Sequence, residues 1–247
     1  MSTVTPTPVT PHVLDNPAWA SLSGAHAAFA ERAGGPAAPY AARYAADVAP
    51  FSAIADPDDP RSWEALGSLT GAGGVVSLAG VLTPPDGWET AGSIEGVQLV
   101  DTSLRAEPAP GAVRLGPADV PEILDLIALT RPGPFLPRTI ELGTYLGIRH
   151  RGRLVAMAGE RLRPPGWTEI SAVCTHPDHR GRGLATLLVR AVAAGIRERG
   201  EVPFLHTAAS NTGAVRLYES IGFTVRRRPS FMALRVPAGI EIEGVRS

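Results

Sequence analysis

The chain has 247 residues, 44% of them apolar and 19% charged, and a formal net charge of −1. That length suits one large domain or two small ones, and the composition excludes global disorder. The balanced charge gives no reason to expect nucleic acid or an anionic membrane as a partner. All 23 basic residues are Arg, so no lysine can serve as nucleophile or base. A single cysteine, Cys174, excludes an internal disulfide and suits a reducing cytoplasm. No run approaches the roughly 18 apolar residues that span a bilayer.

Residues 1–11 are Thr/Pro-rich, lack the basic and apolar regions of a signal peptide, and read as a loose tail. Residues 12–105 read as an N-terminal lobe. Ala18–Ala33 has helical spacing, with Trp19, Leu22 and Phe29 on one side and His26 as a helix-surface residue. Ser62 is placed to cap a helix through Leu69 that buries Trp63 and Leu66. Gly71–Gly74 precedes an apolar strand, Val75–Leu82; a phosphate loop would follow its strand, so this one is not read as such. Residues 79–89 echo residues 158–169, each a strand, a Pro-Pro turn and a strand. Either the first half is a degenerate copy of the second, or the turn arose twice by bias. No Arg/Gly turn opens a helix after Asp101, so this half is not expected to bind a phosphate ligand.

Residues 106–111 are Pro-rich and read as a linker to a second domain, 112–236, with 237–247 as a tail. Val113–Leu115 is a short strand, and Asp119 is a cap candidate for a helix with Val120, Ile123, Leu124 and Ile127 as its apolar face. Thr130–Arg138 holds three prolines and a glycine and is a loop. Tyr145–His150 and Leu154–Leu162 form a hairpin at Arg151-Gly152, and Pro164-Pro165-Gly166 turns into a buried strand ending at Thr175. A basic turn with Gly181 and Gly183 follows. Leu184, Leu187, Leu188, Ala191, Val192 and Ile196 then mark one face of a helix running to Arg199. A strand that ends in a glycine turn and opens a helix is a place to hold a phosphate: the first helical amides lack partners, and the helix dipole is positive there. Val202–Ala208 is a strand, Thr212–Ile221 a helix, and Val225–Arg228 with Phe231–Val236 a closing hairpin.

The turn Arg180-Gly-Arg-Gly183-Leu-Ala185 resembles the [Arg/Gln]-x-x-Gly-x-[Gly/Ala] loop of the GNAT superfamily of N-acetyltransferases. Glu169, eleven residues earlier, stands where several of these enzymes carry a glutamate. Asn211-x-x-Ala214-x-x-x-Tyr218-x-x-x-Gly222-Phe223 resembles the family's second signature. The resemblance covers about half the chain. It implies an α+β fold of three layers, α/β/α, around a twisted mixed sheet, preceded by a degenerate GNAT-like or other α+β lobe. It implies acetyl-CoA as acyl donor and an amine-bearing acceptor, small molecule or protein. Direct transfer in a ternary complex is expected, because the sequence offers no convincing nucleophile.

By resemblance, Arg180, Gly181, Arg182, Gly183, Leu184, Ala185 and Thr186 hold the pyrophosphate, and backbone amides near Val173 and Thr175 face the acetyl carbonyl and pantetheine arm. Asn211 orients the pantetheine or simply caps its helix. Glu169 is the candidate base, its pKa raised by burial, with His206 as the second candidate. Tyr218 is the candidate acid for the leaving sulfur, since a phenol keeps its proton at neutral pH. Each has a plainer reading: a surface glutamate, a core histidine, a packed aromatic. Arg138 and Glu141 could read the acceptor's charges. Cys174, His176 and His179 are zinc-ligand types, but no fourth ligand is evident, and no metal is expected. The main rival to an enzyme is an inactive acyl-CoA-binding sensor. The oligomeric state is not legible.

Overall fold

The computed structural model describes residues 12–35, 38–80 and 82–239; the expected tail at 1–11 and residues 240–247 of the other lie outside them. The N-terminal part runs α1 (Pro17–Leu22), β1 (Ala30–Gly35), β2 (Ala38–Tyr44), β3 (Ser52–Ile54), α2 (Pro60–Thr70), β4 (Val75–Gly80) and β5 (Glu89–Asp101). The rest runs β6 (Val113–Leu115), α3 (Val120–Thr130), β7 (Tyr145–His150), β8 (Arg153–Glu160), β9 (Trp167–Thr175), α4 (Leu184–Glu198), β10 (Val202–Ala208), α5 (Thr212–Ser220), β11 (Phe223–Arg227) and β12 (Ser230–Arg235). Strands β1–β3 make a small antiparallel sheet. The other nine strands form one mixed sheet in the order β4-β12-β5-β10-β9-β8-β7-β6, with β11 also on β5.

The expected boundary at 106–111 is a loop, but it does not separate two sheets. β5, from the N-terminal part, lies beside β10 through Gly96–Val100. Its other edge takes β12 through Glu89–Glu95 and β11 through Gln98–Asp101. One strand of 13 residues is therefore long enough to serve three partners. The two C-terminal strands consequently pair with β5 rather than with each other, which replaces the expected closing hairpin. β4 is likewise separated from β5 by β12, so the 79–89 turn joins non-neighbours, whereas its echo joins the adjacent pair β8 and β9.

Alternation along the strands feeds two cores. Ala156, Ala158, Ile170 and Leu205 face α4, whose Leu188, Val192 and Ile196 are fully buried, each contributing about 1.5–3 kcal/mol. Met157 and Tyr145 face the other way, against Ile123 and Leu126 of α3. Phe204, also on that side, joins a cluster with Leu14, Leu22 and Tyr44 from the N-terminal layer. This gives the expected layered α+β fold, with the N-terminal sheet as part of one layer.

Four local expectations are corrected. Ala18–Ala33 is helical only to Leu22; after a turn and a single 3-10 turn the chain becomes β1. His26 is then not a helix-surface residue: it is buried and bonds the Tyr44 hydroxyl at 2.8 Å, and burial pushes its pKa down to about 4. Asp59, not Ser62, caps α2 through the Arg61 amide, while Asp119 accepts from the Gly116 amide instead of capping α3 with its side chain.

If β5 is integral to the sheet, a fragment of residues 106–247 leaves β10, β11 and β12 without the strand that pairs them all. Such a fragment should show no cooperative thermal transition by circular dichroism, while residues 12–239 should melt in one step. A folded 106–247 fragment would contradict this.

Candidate functional site

The site forms where two parallel strands part. β9 and β10 pair only through Trp167–Ile170 and Val202–Leu205. Beyond that point β9 stays with β8 and β10 with β5, so Ser171–Thr175 and His206–Ala208 border a slot. A bulge in β9 shapes it. Ala172 has φ of 53°, in the left-handed region, and the β8 register slips between Met157 and Gly159. The slip reverses side-chain parity: Ile170 packs toward α4, whereas Cys174 packs toward α3. It also takes Ala172 and Val173 out of the ladder, leaving backbone groups beside the slot.

At the slot's end the chain turns through Arg180–Gly183 into α4. Gly181 and Gly183 have φ of 74° and 73°, the left-handed conformation that glycine adopts without strain. Gly183 caps α4 with no side chain, and the first helical amide to find a partner is Leu187, on the Gly183 carbonyl at 3.0 Å. The amides of Leu184, Ala185 and Thr186 are left for a ligand, at the positive end of a 15-residue helix. Arg180 Nε leans back on the Thr175 carbonyl and Arg182 Nη2 on the Asp178 carbonyl. A cavity of about 1070 Å³ joins these features. Val173, Thr175, Arg180, Gly181, Gly183, Leu184, Ala185, Thr186, Asn211 and Tyr218 all line it; Arg182 does not.

Tyr218, on α5, is 7% exposed, and its hydroxyl makes no hydrogen bond among the described residues. Burial, with a smaller contribution from Cys174, pushes its pKa up to about 12, so it is protonated at neutral pH. Asn211 Oδ1 accepts from the Ala214 amide at 3.2 Å, so it caps α5 at the edge of the cavity. Cys174 lines the cavity, but burial raises its thiol pKa to about 11, which leaves little thiolate.

Glu169 departs from expectation. It is fully buried, does not line the cavity, and receives Arg161 side-on: Nε to Oε2 at 2.9 Å and Nη2 to Oε1 at 2.8 Å. His206 Nδ1 bonds the same Oε1 at 2.8 Å. Burial alone would push this carboxyl up, but the Arg161 charge and hydrogen bonds, with those of His206, hold it far below the usual carboxylate range. Glu169 thus stays ionised and behind the wall, and His206 is the member of the pair that faces the cavity. The imidazole is held at both ends. Nδ1 donates to Glu169, and Nε2 accepts from Gln98 Nε2 at 3.0 Å, whose own Oε1 takes Arg226. That fixes the neutral Nδ1–H tautomer.

Arg138 and Glu141, expected near an acceptor, instead bond each other at 2.8 Å on the surface, with Asp47 beside them. The loop before them does border the cavity, through Thr130–Pro134. His176 and His179 are half-buried on the turn before α4 while Cys174 is buried, and among the described residues no three His, Cys, Asp or Glu side chains converge as metal ligands. Arg161, Gln98 and the apolar residues Phe51, Leu78 and Ile94 were not legible as site residues. The hairpin register, which sets Arg161 against Glu169, was the signal for the first.

The Arg161–Glu169 pair has a pH signature. A carboxyl whose folded pKa lies below its unfolded value of about 4.3 stabilises the fold above that value, and the contribution fades as pH falls toward the folded value. Glu169→Gln should cost about 3–5 kcal/mol in urea unfolding at pH 7, since it leaves a buried guanidinium unpaired. The gap from wild type should narrow steadily below about pH 4 as the wild-type carboxyl protonates.

A family model described as FR47-like protein matches residues 145–232. A segment of 83 residues is 41% identical to a mycothiol acetyltransferase of Thermobispora bispora, covering 33% of this chain and 27% of that protein. One of 90 residues is 37% identical to the N-alpha-acetyltransferase RimI of Mycobacterium tuberculosis, covering 34% and 56%. The chain thus spans between about a quarter and just over half of these curated relatives. A GCN5-related N-acetyltransferase from Kribbella flavida shares the fold at 19% identity, with a TM-score of 0.57 over 89% of this chain and 96% of that one. A GNAT-family protein from Novosphingobium aromaticivorans is 40% identical, with a TM-score of 0.81 over 91% of this chain and 98% of its own. Identity at that level over 91% of this chain and 98% of its relative means that the chain belongs to the GNAT family.

Proposed function

We propose that the protein is an N-acetyltransferase that uses acetyl-CoA and passes the acetyl group directly to an amine. The observation that carries this reading is the slot between β9 and β10, which ends on the unpaired amides of Leu184–Thr186. The residues fit the donor: backbone donors and Arg180 suit a pyrophosphate, and a narrow polar-edged slot suits a pantetheine arm. Acetyl-CoA supplies an activated thioester; the chain holds it and manages protons.

The amine nitrogen attacks the thioester carbonyl, the carbon–sulfur bond breaks, and the sulfur takes a proton. Tyr218 supplies that proton, having an open hydroxyl and a pKa of about 12. Backbone N–H groups at the Ala172–Val173 bulge polarise the carbonyl; a donor aimed at a developing oxyanion is worth about 2.7–4 kcal/mol. The proton released by the amine goes to His206, whose Nε2 exchanges its Gln98 bond for the substrate or a water. Glu169 acts through it as a positioning residue, holding the tautomer and steadying the imidazolium. With little thiolate at Cys174 and no lysine in the chain, neither serves as a covalent nucleophile, in keeping with direct transfer. No helix among the described residues is long and apolar enough to cross a membrane.

Calorimetry with acetyl-CoA tests the reading. A Cβ on Gly183 would meet nothing within 4 Å, so Gly183→Leu should fold, with modest strain, yet lose most of its affinity by covering the amides. Tyr218→Phe should keep the affinity and lower kcat about 10²–10⁴-fold. An acyl-CoA sensor would bind equally well as wild type and as Tyr218→Phe and turn over nothing; absence of binding in wild type would overturn the proposal.

A further inference from the structure

Away from the phosphate loop, the cavity is walled by Phe51, Leu78, Ile94, Phe231 and Met232, contributed by the N-terminal part and by β12. Ile94 is 57% exposed, a large apolar side chain left open beside the cavity. The charged side chains on the lining are all basic: Arg131, Arg161 and Arg180. No Asp or Glu lines the cavity, so a polyamine or a lysine-rich segment would enter without a counter-charge. The lining fits an amine with an apolar body.

Arg161 stands where the slot meets this wall. Its Nε and Nη2 are taken by Glu169, and its guanidinium lies over the Phe51 ring at 4.7 Å. Nη1 makes no hydrogen bond among the described residues, and the side chain is 12% exposed. Arg161 Nη2 and His206 Nδ1 bond one and the same oxygen of Glu169, so the open guanidinium edge and the imidazole are neighbours. An acceptor amine that uses His206 as its base therefore enters a cavity whose lining also includes Arg161.

We propose that the acceptor is an α-amine: an amine next to a carbonyl or carboxylate that Arg161 Nη1 binds, with an apolar side chain against Phe51, Leu78 and Phe231. This rests on the acetyltransferase reading above. The chemistry of the base agrees. An α-amine with a pKa of about 7.7–8.0 is roughly a tenth free base at pH 7, whereas an alkylamine with a pKa near 10.4 is about one part in two thousand. A histidine already held at both nitrogens suits the weaker demand. The oxygen beside the amine is shared by a free amino acid and by the N-terminus of a peptide; the lowered amine pKa belongs to the peptide N-terminus, because the carboxylate of a free amino acid favours its ammonium form.

The test compares kcat/KM on the full-length protein for leucine, leucinamide, a short peptide beginning with leucine, isopentylamine and spermidine, with acetyl-CoA affinity measured separately. Isopentylamine keeps the leucine side chain and lacks the oxygen. Corrected for free base, at least one oxygen-bearing acceptor should exceed isopentylamine about 10- to 100-fold, the loss expected when a charged donor goes unpaired. Spermidine should be the poorest. Preference for leucine over leucinamide and the peptide would identify free amino acids as the source, and the reverse would identify chain N-termini. Arg161→Lys should reduce the discrimination, seen in KM more than in kcat; the wild-type series stands even if that variant fails to fold. Acetyl-CoA bound, but isopentylamine or spermidine used as well as the oxygen-bearing amines, or no acceptor used, would overturn the acceptor proposal alone. Absence of acetyl-CoA binding would overturn the reading beneath it as well.

Discussion

The structure depends on the parting of two parallel strands. β9 and β10 share a ladder for only four residue pairs and then separate, which exposes backbone polar groups on both facing edges. Such a split is stable only if each strand is held on its other edge. β8 holds β9, through the bulge at Ala172, and β5 holds β10. The split therefore requires a strand from the N-terminal part of the chain, which also bonds β11 and β12. The slot and the two-part architecture are consequences of one arrangement.

At the closed end of the split sits the buried chain Arg161–Glu169–His206–Gln98–Arg226. Its members come from the β8–β9 turn, β9, β10, β5 and β11, so it ties together the strands around the fork. A buried ion pair is costly to desolvate and costly to break, and it fixes geometry more surely than it adds stability. Here it holds one imidazole in one tautomer on the cavity wall and leaves one guanidinium edge open beside it. The N-terminal layer then closes the far side with apolar side chains, so the acceptor end differs in character from the phosphate end.

Much of this was legible in the sequence. The apolar period of α4 and the glycines at 181 and 183 were legible, and with them the turn that opens this helix onto the cavity, because local spacing and backbone conformation decide them. Tyr218 and Asn211 were singled out by the resemblance of Asn211–Phe223 to the family's second signature, and both line the cavity. The strand pairing was not, because nothing local to Glu89–Asp101 says that it inserts beside β10; that depends on contacts more than a hundred residues away. Glu169 was found, but the direction of its pKa shift was not, since the Arg161 charge lowers a carboxyl pKa that burial alone would raise. Val75–Leu82 and Arg151-Gly152 followed their turn signals closely, whereas Ala18–Ala33 shows helical spacing overridden when Ala30–Gly35 found a strand partner in β2. Val81 of that first strand lies outside the described residues.

The central claim is that the donor lies along the fork and ends on the start of α4. Amide hydrogen exchange followed with and without acetyl-CoA addresses it at backbone resolution. The account predicts slower exchange confined to residues 171–186 and 211–218, with β1–β3 unchanged. Protection elsewhere on the molecule, or none at those two segments, would contradict it.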